Sequence, residues 1–335
     1  MNALFTALRR SPFVAMVGLG LSVLLLLPSA CGEDDVTRSC TVNADCASGQ
    51  CRADGTCASP TTADAGTSTP ETDGSVSDSA TTDAPAPVVD SGLCTANADG
   101  VITAAEVPLR AGLKGTFKVT TSGVKVSTAG TGAEGGAART WDFSAALTGD
   151  HTLVLETMPL TGQWFESTYP GATYAVRLSD AKDLLGVFAV TAGALELRGV
   201  VSPASGSGSY KTTYNPTVPT LAFPLEKGKK WEVTATASGD IPLTLNVPYT
   251  EKYTFEVDAE GELKTSTSLG SFKVFRINSL LKKTLTGSVV STYTRSYIYV
   301  AECYGAVAKV VSAADQFTEP PADFVDAAEV QRLSP

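Results

Sequence analysis

The sequence predicts a mainly β protein, folded as a large antiparallel sandwich or barrel over residues 94–335, behind a disordered linker and a short cysteine-rich module. Three observations predict it. Apolar residues alternate with polar or small ones through Phe117 and Val119, Leu153 and Leu155, Tyr174, Val176 and Leu178, and Tyr253, Phe255 and Val257. This is the period of a strand with one buried face. Clusters of Gly, Pro, Asn and Ser break the runs at Gly149-Asp150, Tyr169-Pro170-Gly171, Ser205 to Ser209 and Asn215-Pro216. From 58 to 93, by contrast, Thr, Ser, Ala, Asp, Pro and Gly dominate without one aromatic residue, and such a stretch cannot bury enough surface to offset its ordering entropy.

In chain order, Arg9 and Arg10 precede an uncharged apolar run from Phe13 to Leu27, which ends at Pro28-Ser29-Ala30. The run is shorter than the roughly 20 residues a spanning helix needs. Basic residues, a short apolar core and small residues before a cut site make residues 1–30 a secretory signal. Cys31, directly after the small residues, resembles the acylated cysteine of the lipobox in bacterial lipoproteins. That resemblance implies a Gram-negative envelope protein anchored in the membrane through Cys31. Gly32 stands where an aspartate would signal inner-membrane retention, so the resemblance implies the outer membrane, on its periplasmic or its cell-surface side. Cysteine parity agrees: of seven cysteines, acylation of Cys31 leaves six, an even set for an oxidising compartment.

Cys40, Cys46, Cys51 and Cys57 fall in a span too short and polar to bury a core, so disulfides are expected to hold residues 31–57. Their spacing is not that of a zinc site and no histidine is near. The module resembles short four-cysteine repeats near the N-termini of exported bacterial proteins. If it closes on itself, Cys94 and Cys303 remain to pair with each other. The linker at 58–93 is expected to behave as a coil with a reach of roughly 30 to 36 Å. Between Gly32 and Leu93 there are eleven acids against two arginines, whereas from Cys94 onward 24 acids face 21 bases. The acidity therefore belongs to the tether. The β domain is nearly neutral, which argues against nucleic acid as a partner.

At the start of the domain, Asn97, Asp99, Gly100, Ile102 and Glu106 match positions of the calcium loop of EF-hand and dockerin proteins. The resemblance implies a calcium site formed by Thr95, Asn97, Asp99, the Val101 carbonyl and Glu106. Thr95 replaces the first aspartate and removes a charged ligand. Without the metal, the same residues form an Asx-rich turn.

The strands continue through Trp231, Val233 and Ala235, through Leu243, Leu245 and Val247, and from Val289 to Ala301, with a turn expected at Ala259-Glu260-Gly261. Only the tail from Pro321 to Leu333 suggests a helical period, and a break near Pro216 to Pro219 would divide the sheet in two. Pro224 to Trp231, Gly270 to Val274, Tyr299-Val300 and Gly305 to Val307 resemble uncharacterised exported bacterial β-proteins of half-barrel type. The fold class is thus mainly β, an antiparallel β-sandwich or half-barrel, and the resemblance attaches no reaction to it.

Signals of catalysis are few. His151 is the only histidine, it begins a strand next to a turn, and no Gly-x-Ser-x-Gly elbow presents a serine to it. Gly130-Thr131-Gly132-Ala133-Glu134-Gly135 has dinucleotide-loop spacing, but the β-rich Trp141-Asp142-Phe143 follows instead of a helix, so a hairpin loop is expected. Glu260 and Glu262 read as solvated turn acids. The expectation is a non-enzymatic binding or structural module of the envelope with no certain cofactor. The alternatives are a carrier of an apolar small molecule or lipid, or a carbohydrate-binding β domain.

Overall fold

The computed structural model describes residues 94–121, 123–132, 138–240 and 248–335. The signal, the Cys31 anchor, Cys40, Cys46, Cys51, Cys57, the 58–93 linker and the strand expected at Leu243, Leu245 and Val247 lie outside the described residues. The strands are β1 (Lys114–Thr120), β2 (Val124–Lys125), β3 (Arg139–Asp142), β4 (His151–Glu156), β5 (Tyr174–Arg177), β6 (Leu185–Val190), β7 (Ala194–Val201) and β8 (Lys211–Ala222). They continue as β9 (Lys230–Asp240), β10 (Tyr249–Lys264), β11 (Ser271–Leu285), β12 (Ser291–Ala301), β13 (Gly305–Val311), β14 (Asp326–Ala327) and β15 (Glu329–Leu333).

Strands β5 to β13 follow one another as an antiparallel meander, because short connections let consecutive strands pair. Beyond β13 the order is β15, β1 and β4, so the last strand is inserted between β13 and β1. The two free edges, β4 and β5, approach each other. Just past β4, Met158 exchanges backbone hydrogen bonds with Ala175 of β5 at 2.7 and 2.9 Å, which leaves the sheet nearly closed. Residues opposite one another in register share a face. One row therefore runs across the inner face from His151 through Val119, Gln331, Lys309, Ile298 and Ile277 to Val257. The β5–β6 turn latches onto that row: Asp180 meets the His151 ring at 2.8 Å, Lys309 donates to the Leu178 carbonyl at 2.8 Å, and Ser179 donates to Glu329.

The inner core packs Tyr214, Val218, Leu225, Phe255, Val257 and Ile277. On the other face, Trp141, Phe143, Val126 and Phe324 cover Leu263, Val274, Tyr299 and Val310. Leu160, Phe165 and Tyr169 similarly cover Leu185, Val187 and Val201. The central strands are thus buried on both faces, which is why Phe272 to Ile277 alternate so poorly in sequence. Three buried arginines pin the covering segments. Arg276 binds Asp258 through two bonds of 2.8 and 2.9 Å, Asp323 at 2.9 Å, and the Thr128 carbonyl, with the Tyr297 ring 4.4 Å away. Arg295 binds Asn278 at 2.8 Å and Glu319 at 2.7 Å. Arg332 binds Asp150 at 2.5 Å and the Ala145 carbonyl at 3.0 Å.

Three local expectations are corrected. Ala259-Glu260-Gly261 is no turn but the middle of β10, just past a bulge after Val257. There β9 ends and β3 takes its place in parallel; a Cβ on Gly261 would lie 1.9 Å from the Arg139 carbonyl oxygen, so only glycine lets β3 approach. The tail is β14 and β15, not helix. Its strand pattern is masked because Glu329, Gln331 and Arg332 are buried polar residues held by specific partners. Pro216 and Pro219 lie within β8, so both halves share one sheet, and the register there slips past a bulge.

Candidate functional site

Where the chain enters the domain, Cys94 and Cys303 form a disulfide with Cα atoms 5.5 Å apart. Cys303 lies in the β12–β13 turn, and its N–H donates to the Glu106 carbonyl at 2.7 Å. The loop after Cys94 closes on itself through hydrogen bonds. Asn97 Oδ1 accepts from the Asp99 N–H at 2.9 Å, which turns Asn97 Nδ2 toward Asp99 (3.1 Å) and Glu106 (2.8 Å). An amide donor thus stands between the two carboxylates. Glu106 also caps a single 3-10 turn, accepting from the Thr103 N–H at 2.7 Å and hydroxyl at 2.8 Å. Val101 donates to Asp99 at 2.8 Å, and Thr95 is exposed. Glu302, which sequence reasoning missed, accepts from the Asn97 and Ala98 N–H groups at 3.0 and 3.2 Å. In this arrangement the residues do not leave a cation cage: both Glu106 oxygens are engaged, and the Asn97 carbonyl oxygen points away from the acids. Among the described residues no group of three or more His, Cys, Asp or Glu is placed to hold a metal.

Beside this loop lies a cavity of about 590 Å³ along the β10–β11 hairpin tip. Ile102, Leu269, Phe272, Val274, Phe275 and Tyr304 give it a largely apolar wall, and the Phe272 and Tyr304 rings meet edge to face at 5.0 Å. Its acids are mostly matched. Glu260 sits 3.3 Å from Lys227, Glu262 faces Lys273 across the hairpin, and Glu302 holds the backbone N–H groups of the loop. Glu260 and Glu262 are therefore strand residues on a cavity wall and not the turn acids expected. The cavity is framed by positions more than 160 residues apart, and no local motif announces it.

At the opposite end of β10, the inner face holds a polar cluster. Glu251 is 4% exposed and accepts from the Tyr253 hydroxyl at 2.6 Å, while the Tyr210 and Tyr249 hydroxyls lie 2.8 Å apart. Lys283, opposite Glu251 in register, rests its ammonium 4.1 Å from the Tyr249 ring centre. Loss of hydration raises the Glu251 pKa above 4.5, against hydrogen bonds from Tyr253 and Tyr214 that lower it. The same burial pushes the Tyr214, Tyr249 and Tyr253 hydroxyls up, so all three stay protonated at neutral pH. The signal was present in sequence, since Glu251 sits in the alternation of Tyr249, Tyr253 and Phe255. A folded state that holds the Glu251 proton more tightly than the unfolded chain loses stability as pH rises from about 4.5 through the raised value. Glu251→Gln keeps an acceptor and removes the buried charge. Denaturant unfolding should therefore find the variant gaining on wild type as pH rises through that window, and a constant difference between pH 4 and pH 8 refutes the assignment.

His151 is exposed and opens β4 as expected, with Asp180 and the Gly149 carbonyl as partners. Those partners, the Gly149 carbonyl first, raise its pKa. In the glycine-rich stretch Thr131 and Thr140 exchange backbone hydrogen bonds at 2.7 and 2.8 Å, and 133–137 lie outside the described residues.

No protein-family model, no curated protein and no solved structure matches the chain.

Proposed function

We propose that this protein is a non-enzymatic, lipid-anchored envelope protein whose β domain binds a small, mainly apolar molecule at the β10–β11 hairpin tip. The observation that carries the reading is the cavity. Its volume of about 590 Å³ lies within the range of small-molecule sites, roughly 300 to 1,000 Å³, and an apolar wall with a few fixed polar groups is their usual chemistry. Two of the acids around it are held, Glu260 by Lys227 and Glu302 by backbone N–H groups, so the apolar wall is the dominant feature a ligand would meet. Anchoring through Cys31 in the outer membrane rests on the sequence signal.

Mass spectrometry of molecules retained by the purified protein tests the site. Ser271, exposed on the cavity wall in a strand, tolerates an aromatic side chain, so Ser271→Trp should fill the space without unfolding the domain. Wild type is expected to carry an apolar ligand that the variant lacks. Equal ligand content in both, or none in either, removes the cavity as the binding site.

For the loop of Thr95, Asn97, Asp99, the Val101 carbonyl and Glu106 we propose weak calcium binding, at roughly 0.1 to 1 mM or above, in which Asn97 turns its amide oxygen to the ion in place of the amide N–H groups now on the two acids. Melting should rise with millimolar calcium in wild type and not in Glu106→Gln. A flat response in wild type leaves the hydrogen-bonded turn as the whole account.

A further inference from the structure

The cavity and the disulfide occupy one end of the long strands; the other end carries an apolar tip that nothing in the described chain covers. In the β11–β12 turn Val289 is 99% exposed, Leu285 52% and Val290 54%. Phe317, 76% exposed, lies further down the same hairpin, because Gln316 pairs with Tyr293 of β12 through backbone bonds of 2.7 and 2.9 Å. The tip is held in place. Ser288 donates to the Leu285 carbonyl at 2.9 Å, and Thr286 braces the turn against the Pro248 carbonyl through its hydroxyl at 2.6 Å.

Charge is layered along this hairpin. Residues 284–294 carry none, and Lys282, Lys283 and Arg295 bound the run. The two lysines lie against tyrosine rings, Lys282 at 5.9 Å from Tyr293 and Lys283 at 4.1 Å from Tyr249. Of the nearby acids, buried Glu251 faces Lys283, Glu319 pairs with Arg295 and Asp315 accepts from the Thr292 hydroxyl at 3.2 Å, which leaves Lys282 as the exposed base. An apolar tip followed inward by tyrosine and lysine is the order in which acyl chains, headgroups and phosphates are met at a bilayer surface. The four side chains expose on the order of 500 Å², short of the roughly 800 Å² per partner that a stable protein interface buries. A convex turn also offers a protein partner no recess.

We propose that the β11–β12 tip inserts into the headgroup–acyl boundary of an anionic phospholipid bilayer, with Lys282 meeting phosphate. This contact is made by the folded domain and is separate from the Cys31 anchor. The eleven residues of β12, at about 3.3 Å each, place Cys303 some 35 Å from the tip, so the domain sits with its cavity turned away from the membrane.

The test uses the full exported chain carrying Cys31→Ser, which removes the acyl anchor, with vesicles of phosphatidylglycerol and phosphatidylcholine. Co-sedimentation is expected with phosphatidylglycerol present and is expected to weaken with salt. Val289→Asp with Val290→Asp should reduce it by at least about tenfold while the melting temperature holds, since both side chains are exposed. Val289→Trp should shift its emission to the blue on vesicles and be quenched by brominated acyl chains. An unshifted, unquenched tryptophan overturns the proposal, as does undiminished vesicle binding by the double aspartate variant or self-association through the tip in place of vesicle binding. Such a failure leaves the anchor and the cavity standing, because Cys31 acylation and retained ligand report those separately.

Discussion

Replacing Arg276 by alanine is expected to cost about 3–5 kcal/mol of stability, the scale found when one partner of a buried ion pair is removed. Arg276 is 3% exposed, and its guanidinium satisfies Asp258 twice, Asp323 once and the Thr128 carbonyl. The alanine variant leaves Asp258 in a site where burial already raises its pKa, without the two bonds that hold it charged. It also frees the covering segments at Thr128 and Asp323 from the sheet. Arg276→Ala with Asp258→Asn should cost less than the sum of the single changes, because the unpaired charge is the larger part of the loss. Guanidinium unfolding curves measure both. A loss below about 1 kcal/mol in the single variant would falsify the clamp.

The second large effect concerns the disulfide. Cys94 and Cys303 are 209 residues apart in sequence, so their bond constrains almost the whole unfolded domain. In the chain-entropy account, a closed loop of that length is worth up to about 5 kcal/mol. For a domain of this size that corresponds to a fall in melting temperature of roughly 10–20 °C. Cys94→Ser with Cys303→Ser should show that fall without leaving a free thiol. Non-reducing peptide mapping should recover Cys94 joined to Cys303, and either cysteine found linked to Cys40, Cys46, Cys51 or Cys57 refutes the pairing. A melting temperature unchanged by the double substitution would show that the unfolded chain gains nothing from losing the link.

The neighbouring contacts explain why the cost should appear. The Cys303 N–H is already bound to the Glu106 carbonyl, and Glu302 holds the Asn97 and Ala98 N–H groups. These bonds are exposed and modest singly, so the covalent link is what keeps the first residues of the domain against the cavity wall.

Period-two alternation was enough to place strands at Phe117, Leu153, Tyr174, Trp231 and Tyr253, because a strand with one wet face writes its burial directly into sequence. Counting cysteines paired Cys94 with Cys303. What sequence could not decide depends on partners distant along the chain. Gly261 looks like a turn until β3 lies against it, and the buried Glu329, Gln331 and Arg332 look like a solvated tail until Ser179 and Asp150 meet them. Near-closure rests on Met158 finding Ala175, and the cavity on Ile102 and Tyr304 reaching the β10–β11 tip. Local pattern records which way a side chain faces, whereas a polar residue's burial and a cavity's walls are set by whichever segment packs opposite, and only the closed sheet brings those segments together.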